Sequence, residues 1–270
     1  MRITVLSDNI GSGSLEGEWG LSLYIDFCGK NYLLDTGGSG LFLSNAGKLG
    51  IDISEVDCAV LSHAHYDHSR GMEAFFSANS KACFYVSPNA KENCYGGIGF
   101  LGKYIGLPKG VLSKYKDRIK SQSGTVEIDS NVFLVPHTTD GLSKIGRRSH
   151  LLVRRGLLYY PDDFSHEQSL VFRTRDGLVI FNSCSHSGAD VVMNEVRNAF
   201  PHDEVKAYIG GLHLFRLNER EVSEVAERIR ASGLTKIITG HCTGDKAYNI
   251  LKDRLGDIID LFHCGKVIEL

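Results

Sequence analysis

The stretch LSHAHYDHSRG, residues 61–71, places three histidines and an aspartate within six positions, directly behind the apolar run CAVL. That run reads as a buried strand over residues 57–61, so His63 lies where the chain leaves a sheet. In a locally extended turn His63 and His65 point to the same side, and Asp67 and His68 follow as SRGMEAFF begins a helix. Two imidazoles, then a carboxylate with an imidazole, make two half-built sites for zinc, manganese or iron. A solvated polar loop is the competing account. Four ligand-type residues at H-x-H-x-D-H spacing behind a buried strand favour the metal. Each half-site lacks donors, and that shortage constrains the fold, because other parts of the chain must deliver them.

Two further histidines recur in one local setting. GLVIFNSCSHSG is a buried strand followed by His186 and then a glycine that opens a helix, and KIITGHCTG sets His241 after a strand and a glycine. Loops at strand ends let a rigid sheet hold ligands from distant parts of the chain. Either histidine alone reads equally well as a core residue; with the first motif both become candidate ligands. Cys184 and Cys242 neighbour them. Thiolates bind zinc well, but both cysteines read first as small buried residues.

The rest of the chain supplies the frame. Short strands (ITVLS, LSLYIDF, NYLLDTG, ACFYVS, NVFLVP, SLVFRT, GLVIFNS, KVIEL) alternate with loops and helices. SGLFLSNAGKLG has helical spacing and a glycine stop. NEREVSEVAERIRASG is amphipathic, with an Asn218–Glu221 capping box, a Val222, Val225, Ile229 stripe and a Gly233 stop. In KAYNILKDRLG, Ala247, Ile250, Leu251 and Leu255 share a face. Residues 90–130 lack strong periodicity and read as a lid-like insertion in a single domain of 270 residues. Its Tyr95, Phe100 and Tyr104 can stack on a flat ring, although packing within the loop is the favoured account.

Composition excludes other classes. Thirty basic against 32 acidic residues give a net charge of −2, which offers no general basic surface for nucleic acid. No apolar run approaches the roughly 20 residues that span a bilayer, so no membrane partner is expected. Seven scattered cysteines without a CxxC point to reduced thiols and a cytoplasmic location.

His63-Ala-His65-Tyr-Asp67-His68, preceded by LLDTG and followed by His186 and His241, resembles the metallo-β-lactamase superfamily along the length of the chain. The resemblance implies an α/β, four-layer αβ/βα sandwich with one or two divalent metal ions at one edge, zinc first and manganese or iron as alternatives. TVLSDN, GLSLYIDF, DDFSHEQSLVF, NSCSHSG, IGGLHL and GHCTG are similar to the subgroup around 7,8-dihydropterin-6-methyl-4-(β-D-ribofuranosyl)aminobenzene 5′-phosphate synthase. By this resemblance His63, His65 and His186 hold one metal, and Asp67, His68 and His241 the second. Asp67 also orients the nucleophile. Dinuclear members carry a bridging aspartate where this chain has Gly210–Gly211; His213 is a substitute ligand, a donor to the substrate, or a core histidine. Arg70 stands where a small residue is common and favours an anionic substrate, unless it is simply exposed. Asp35, then Asp8 and Asn9, are the candidates to orient the imidazoles. Asp162, Asp163, His166 and Glu167 read first as a solvated charged turn, with a loop that approaches the site as the alternative.

Three functions follow. One is a hydrolase that uses a metal-activated hydroxide on a small anionic substrate, a phosphoester first. Another is a pterin-type transferase that releases pyrophosphate. The third is a non-catalytic metal-binding protein, disfavoured because the ligand set leaves coordination positions open. His65 stands where diiron oxidoreductases of the family carry glutamate, a ribonuclease would need a basic segment, and β-lactam hydrolysis is disfavoured in a cytosolic chain.

Overall fold

The computed structural model describes residues 1–98 and 101–270. The chain forms two compact units, one from Met1–Ser123, Asp140–Glu167 and His263–Leu270, the other from Gly124–Thr139 and Gln168–Phe262. Among the described residues no helix is long and apolar enough to cross a membrane.

The first unit is organised by a seven-stranded sheet in the order Val267–Glu269, Arg2–Ser7, Ser22–Phe27, Lys30–Leu34, Cys58–Val60, Cys83–Val86, Ile119–Ser121. Its first four strands pair antiparallel, and the remainder pair parallel. A parallel neighbour needs a crossover, which the helices Leu41–Lys48 and Met72–Ala78 provide. Phe42, Ala46, Met72, Phe75 and Phe76 from these helices share one buried cluster with Leu33, Ala59 and Phe84 of the sheet. The Phe75 and Phe84 rings meet edge to face at 5.3 Å.

A four-stranded sheet, ordered Leu158–Pro161, Leu151–Arg155, Cys94–Gly96, Lys103–Tyr104, belongs to the same unit and was not anticipated from periodicity. Leu158–Pro161 alternates exposed and half-buried positions, and Val153 is the one buried residue of Leu151–Arg155, so little apolar pattern marks them. The chain beyond it grips the histidine motif: Gly106 forms a β-bridge with His65, and the Tyr66 N–H donates to Ile105 O at 2.9 Å.

The second unit carries a sheet in the order Ile259–Leu261, Lys236–Thr239, Val205–Ile209, Gly177–Phe181, Gln168–Thr174, Val132–Pro136, Val126–Asp129. Its first four strands run parallel to one another. The helices Ala189–Ala199, Glu219–Ala231 and Asp245–Leu255 bury Val192, Val196, Val222, Ala226, Ile229 and Leu251 against Val171, Ile180, Tyr208 and Ile237. The expected capping box forms, with Asn218 Oδ1 accepting from Glu221 N–H at 3.1 Å and Glu221 Oε2 from Asn218 N–H at 2.9 Å. The stripe differs by one position: Val222, Ala226 and Ile229 are buried, and Val225 is only half-buried. Ile250 of the following helix is likewise half-buried, beside buried Ala247, Leu251 and Leu255.

The expected α/β class is thus found, and each seven-stranded sheet sends loops from the carboxyl ends of its parallel strands, where such sheets characteristically build sites. Gly71 shows how tightly the motif is seated. A Cβ there would overlap Thr36 O and lie 2.6 Å from Ser39 O, while Thr36 N–H and Oγ1 both donate to His68 O, at 2.8 and 3.0 Å. Gly71→Ala should therefore destabilise the metal-free protein by about 3 kcal/mol in denaturant unfolding, the scale of overpacking. An unchanged midpoint would contradict this packing.

Candidate metal centre

Asp35 follows Leu34 in the left-handed region, φ 61°, and is wholly buried. The backbone turn aims its carboxylate at the motif. Oδ1 accepts from Ser62 N–H at 2.7 Å, and Oδ2 accepts from Ser62 Oγ at 2.6 Å and from His68 Nδ1 at 2.7 Å. Since Ser62 Oγ gives its proton to Asp35, it accepts from His63 Nδ1 at 2.8 Å. Both imidazoles are thereby assigned the same tautomer, with the proton on Nδ1 and the lone pair on Nε2. The His63 ring centroid lies 4.2 Å from that of His68 and 4.7 Å from that of His65. Asp67 is buried, with Oδ2 3.9 Å from His68 Nε2.

Such crowding of buried imidazoles and carboxylates is costly without compensating partners. Hydrogen bonds to a charged group contribute about 1.5–3 kcal/mol each, and Asp35 accepts three. Oriented imidazoles backed by a carboxylate are the donor chemistry of a divalent cation, so this set fits a metal.

One group departs from expectation. Asp162, His166 and Glu167 are 0%, 2% and 0% exposed, so the solvated turn read from DDFSHEQ is confined to Asp163, which pairs with Arg155 at 3.3 Å. His166 Nδ1 accepts from Ala64 N–H at 3.2 Å, which leaves the ring proton on Nε2 facing Asp162 Oδ2 at 3.0 Å. Asp162 Oδ1 accepts from Phe164 N–H at 2.8 Å. Burial disfavours a charge on Asp162, but the His166 imidazole, with His65 and the Phe164 N–H adding, holds its carboxyl at about 2. The donor atoms of His65, Cys94, Asp162 and His166 lie within 4.8 Å of one another. The one sequence signal for this burial was Phe164, an aromatic inside an otherwise polar run.

In the second unit the predicted histidines again stand beyond parallel strands: His186 after Gly177–Phe181, His241 after Lys236–Thr239, and His213 after Val205–Ile209. His213 is not in an apolar strand, which ends at Ile209. Ser185, His213 and His241 have φ of 51°, 51° and 47°, a backbone cost of about 1–3 kcal/mol each that clusters at functional loops. The Ser185 hydroxyl bonds the Tyr208 hydroxyl and donates to Gly211 O at 2.7 Å, and Leu212 N–H donates to Thr243 Oγ1 at 2.9 Å. The His186 and His213 rings lie 4.5 Å apart. Cys184 and Cys242 are buried with Sγ atoms 3.4 Å apart. Burial pushes the Cys242 thiol up, but Cys184 and His213 hydrogen bonds and the nearby His241 draw it well below the usual thiol range. A side chain at Gly210 would overlap Asn182 O, and one at Gly211 would meet Cys242 Sγ at 2.5 Å, so neither position has room for an aspartate.

The remaining candidates are placed as follows. Asp8 is buried and its Oδ2 accepts from Ile10 N–H at 3.0 Å, and Asn9 is half-buried. Arg70 is exposed, with its guanidinium 4.5 Å above the Tyr66 ring. Tyr95 and Tyr104 pack against each other at 5.3 Å, and the Tyr104 hydroxyl, pushed up by burial and by Glu92, donates to Leu107 O at 2.6 Å. Phe100 lies outside the described residues. None of the seven cysteines, all of them described, forms a disulfide.

Oriented histidines and buried carboxylates beyond the carboxyl ends of parallel strands define a protein with clusters able to hold divalent metal. The family model described as "Metallo-beta-lactamase superfamily" matches residues 20–181, and the chain belongs to that superfamily. It is 27% identical over 243 residues to 7,8-dihydropterin-6-methyl-4-(β-D-ribofuranosyl)-aminobenzene-5′-phosphate synthase of Methanocaldococcus jannaschii, covering 84% of this chain and 80% of that protein. An uncharacterized protein of the same organism, MJ0448, is 24% identical across 99% of this chain and 100% of its own. Among solved structures, Tm1679, described as a metal-dependent hydrolase of the β-lactamase superfamily, superposes with a TM-score of 0.84 and 30% identity, covering 100% of this chain and 99% of that one.

Because the folded Asp162 carboxyl, at about 2, lies below its ordinary 3.8, its stabilisation is fully present above pH 3.8 and is lost as pH falls towards 2. Asp162→Asn should cost the metal-free protein about 2 kcal/mol at pH 7, a gap that closes in acid. Equal unfolding free energies at pH 7 would contradict it.

Proposed function

We propose that this chain is a metal-dependent hydrolase of small anionic substrates, with a phosphoester as the first substrate class, working in the cytoplasm. The observation that carries the reading is the Asp35 network, which turns His63 and His68 into oriented Nε2 donors. His63, His65 and His186 would hold one ion, and Asp67, His68 and His241 a second, with zinc the leading metal and manganese or iron the alternatives. When bound, such ions acidify water and polarise a phosphoryl or carbonyl oxygen.

The chain's own residues do the rest. Asp35 and Ser62 fix the ligand tautomers. The Asp162–His166 pair braces the motif by accepting from Ala64 N–H and lies beside His65. Asp67 would accept a hydrogen bond from the attacking water or hydroxide and so orient it. Support for an anionic substrate comes from a cleft of about 420 Å³ in the first unit, lined by Asn89, Lys91, Asn93, Arg154, Arg155 and His166, with Asp163 beside Arg155. The described residues between Tyr95 and Leu107 would serve as the substrate wall, since Ile105 and Gly106 pair with the motif backbone.

A second reading is favoured by the similarity to the Methanocaldococcus synthase over 84% of this chain. In it the same residues serve a transferase acting on a pterin-like substrate with release of pyrophosphate. Measuring pyrophosphate release with and without an aromatic amine acceptor separates the two.

The direct test is metal analysis of the purified protein, followed by a screen of phosphomonoesters, phosphodiesters and lactones with His68→Ala as the control. His63→Ala and His186→Ala should each lose bound metal and at least about 100-fold in turnover while keeping the fold. Unchanged metal content in both variants would contradict the assignment.

A further inference from the structure

We propose that the second unit carries a thiolate metal site of its own, in which Cys184 and Cys242 bind zinc with the His213 imidazole as a third protein donor. The argument begins with topology. Gly177–Phe181 and Lys236–Thr239 are not neighbours in their sheet; Val205–Ile209 lies between them. The loops that follow the two outer strands carry Cys184 and Cys242, and their sulfurs meet at 3.4 Å. They can meet because the chain following the middle strand has no side chain at Gly211: a Cβ there would lie 2.5 Å from Cys242 Sγ. The thiol occupies the space a side chain at 211 would fill.

Both cysteines are buried, 2% and 1% exposed, as small hydrophobes usually are, but imidazoles also stand around the pair. The donor atoms of Cys184, His186 and His213 lie within 4.8 Å of one another, and so do those of Cys184, His241 and Cys242. Cys184 is common to both groups. His213 Nδ1 is buried and has no hydrogen-bond partner among the described residues. Zinc–sulfur bonds of about 2.3 Å at tetrahedral angles place two sulfurs about 3.8 Å apart, a small opening from the observed separation.

Two thiolates and an imidazole select a borderline-to-soft cation such as zinc over magnesium or calcium. On uptake each thiol releases its proton to solvent as the sulfur–metal bond forms, with no change of oxidation state. The site uses donors of the second unit that the hydrolytic reading does not assign to its ions, although His186 and His241, which it does assign, lie beside them.

The test is cobalt(II) substitution of the reduced, metal-free protein, read by the near-ultraviolet thiolate-to-cobalt charge-transfer band. The band is expected in the wild type and unchanged in His63→Ala, the variant in which the hydrolytic reading predicts lost turnover. Cys184→Ser and Cys242→Ser should each lose about half of it, and the double variant all of it. A cobalt-loaded wild type that shows ligand-field bands without a sulfur band overturns the site. A measurement that needs no variant uses mass spectrometry: zinc should slow alkylation of Cys184 and Cys242 at least about 10-fold relative to the metal-free protein. Equal rates also overturn it.

Discussion

The buried carboxylate of Asp35 is the interaction on which the first unit's site depends. A carboxylate with no exposure is tolerated only when its oxygens are satisfied. Here the donors that satisfy it are the backbone and hydroxyl of Ser62 and the Nδ1 of His68, with His63 attached through Ser62. One left-handed residue after a strand thus does two things. It closes the backbone onto the neighbouring strand through Asp35 N–H to Val60 O at 2.9 Å, and it fixes which nitrogen of two imidazoles is left for a cation. Stability and ligand chemistry cannot be separated at this position.

The second unit solves the same problem by other means. No carboxylate is lodged at the carboxyl end of Val205–Ile209, where Gly210 and Gly211 bring the backbone close to Asn182 O and Cys242 Sγ. Left-handed turns at Ser185, His213 and His241 aim the donors instead, held by hydroxyls of Ser185, Tyr208 and Thr243. The donor set there is richer in imidazole and sulfur and poorer in oxygen.

Much of this was legible in the sequence because burial and periodicity agree. Runs such as CAVL and LVIF are continuous apolar segments that become wholly buried in their sheets, and Asn218 with Glu221 announced a helix start that the structure realises bond for bond. The motif histidines and Asp35 were legible because ligand-type residues stood at strand ends. What escaped was whatever depends on tertiary neighbours. The hairpin through Leu157 and Leu158 leaves those residues 93% and 62% exposed, so its strands carry no buried pattern. Asp162 and His166 look polar and solvated until the backbone of Ala64 is found against the ring. Cys184 and Cys242 are 58 positions apart and meet only because a strand ending in glycines runs between theirs.

The most direct test of the central claim is the tautomer of the motif imidazoles, read by long-range nitrogen–proton correlation NMR on protein with nitrogen-15-labelled histidine. The Asp35 network predicts protons on Nδ1 of His63 and His68 in the metal-free protein, with the Nε2 signals alone shifting strongly on zinc addition. It also predicts that this preference collapses in Asp35→Asn. Protons on Nε2 in the wild type, or a zinc response at Nδ1, would contradict the account.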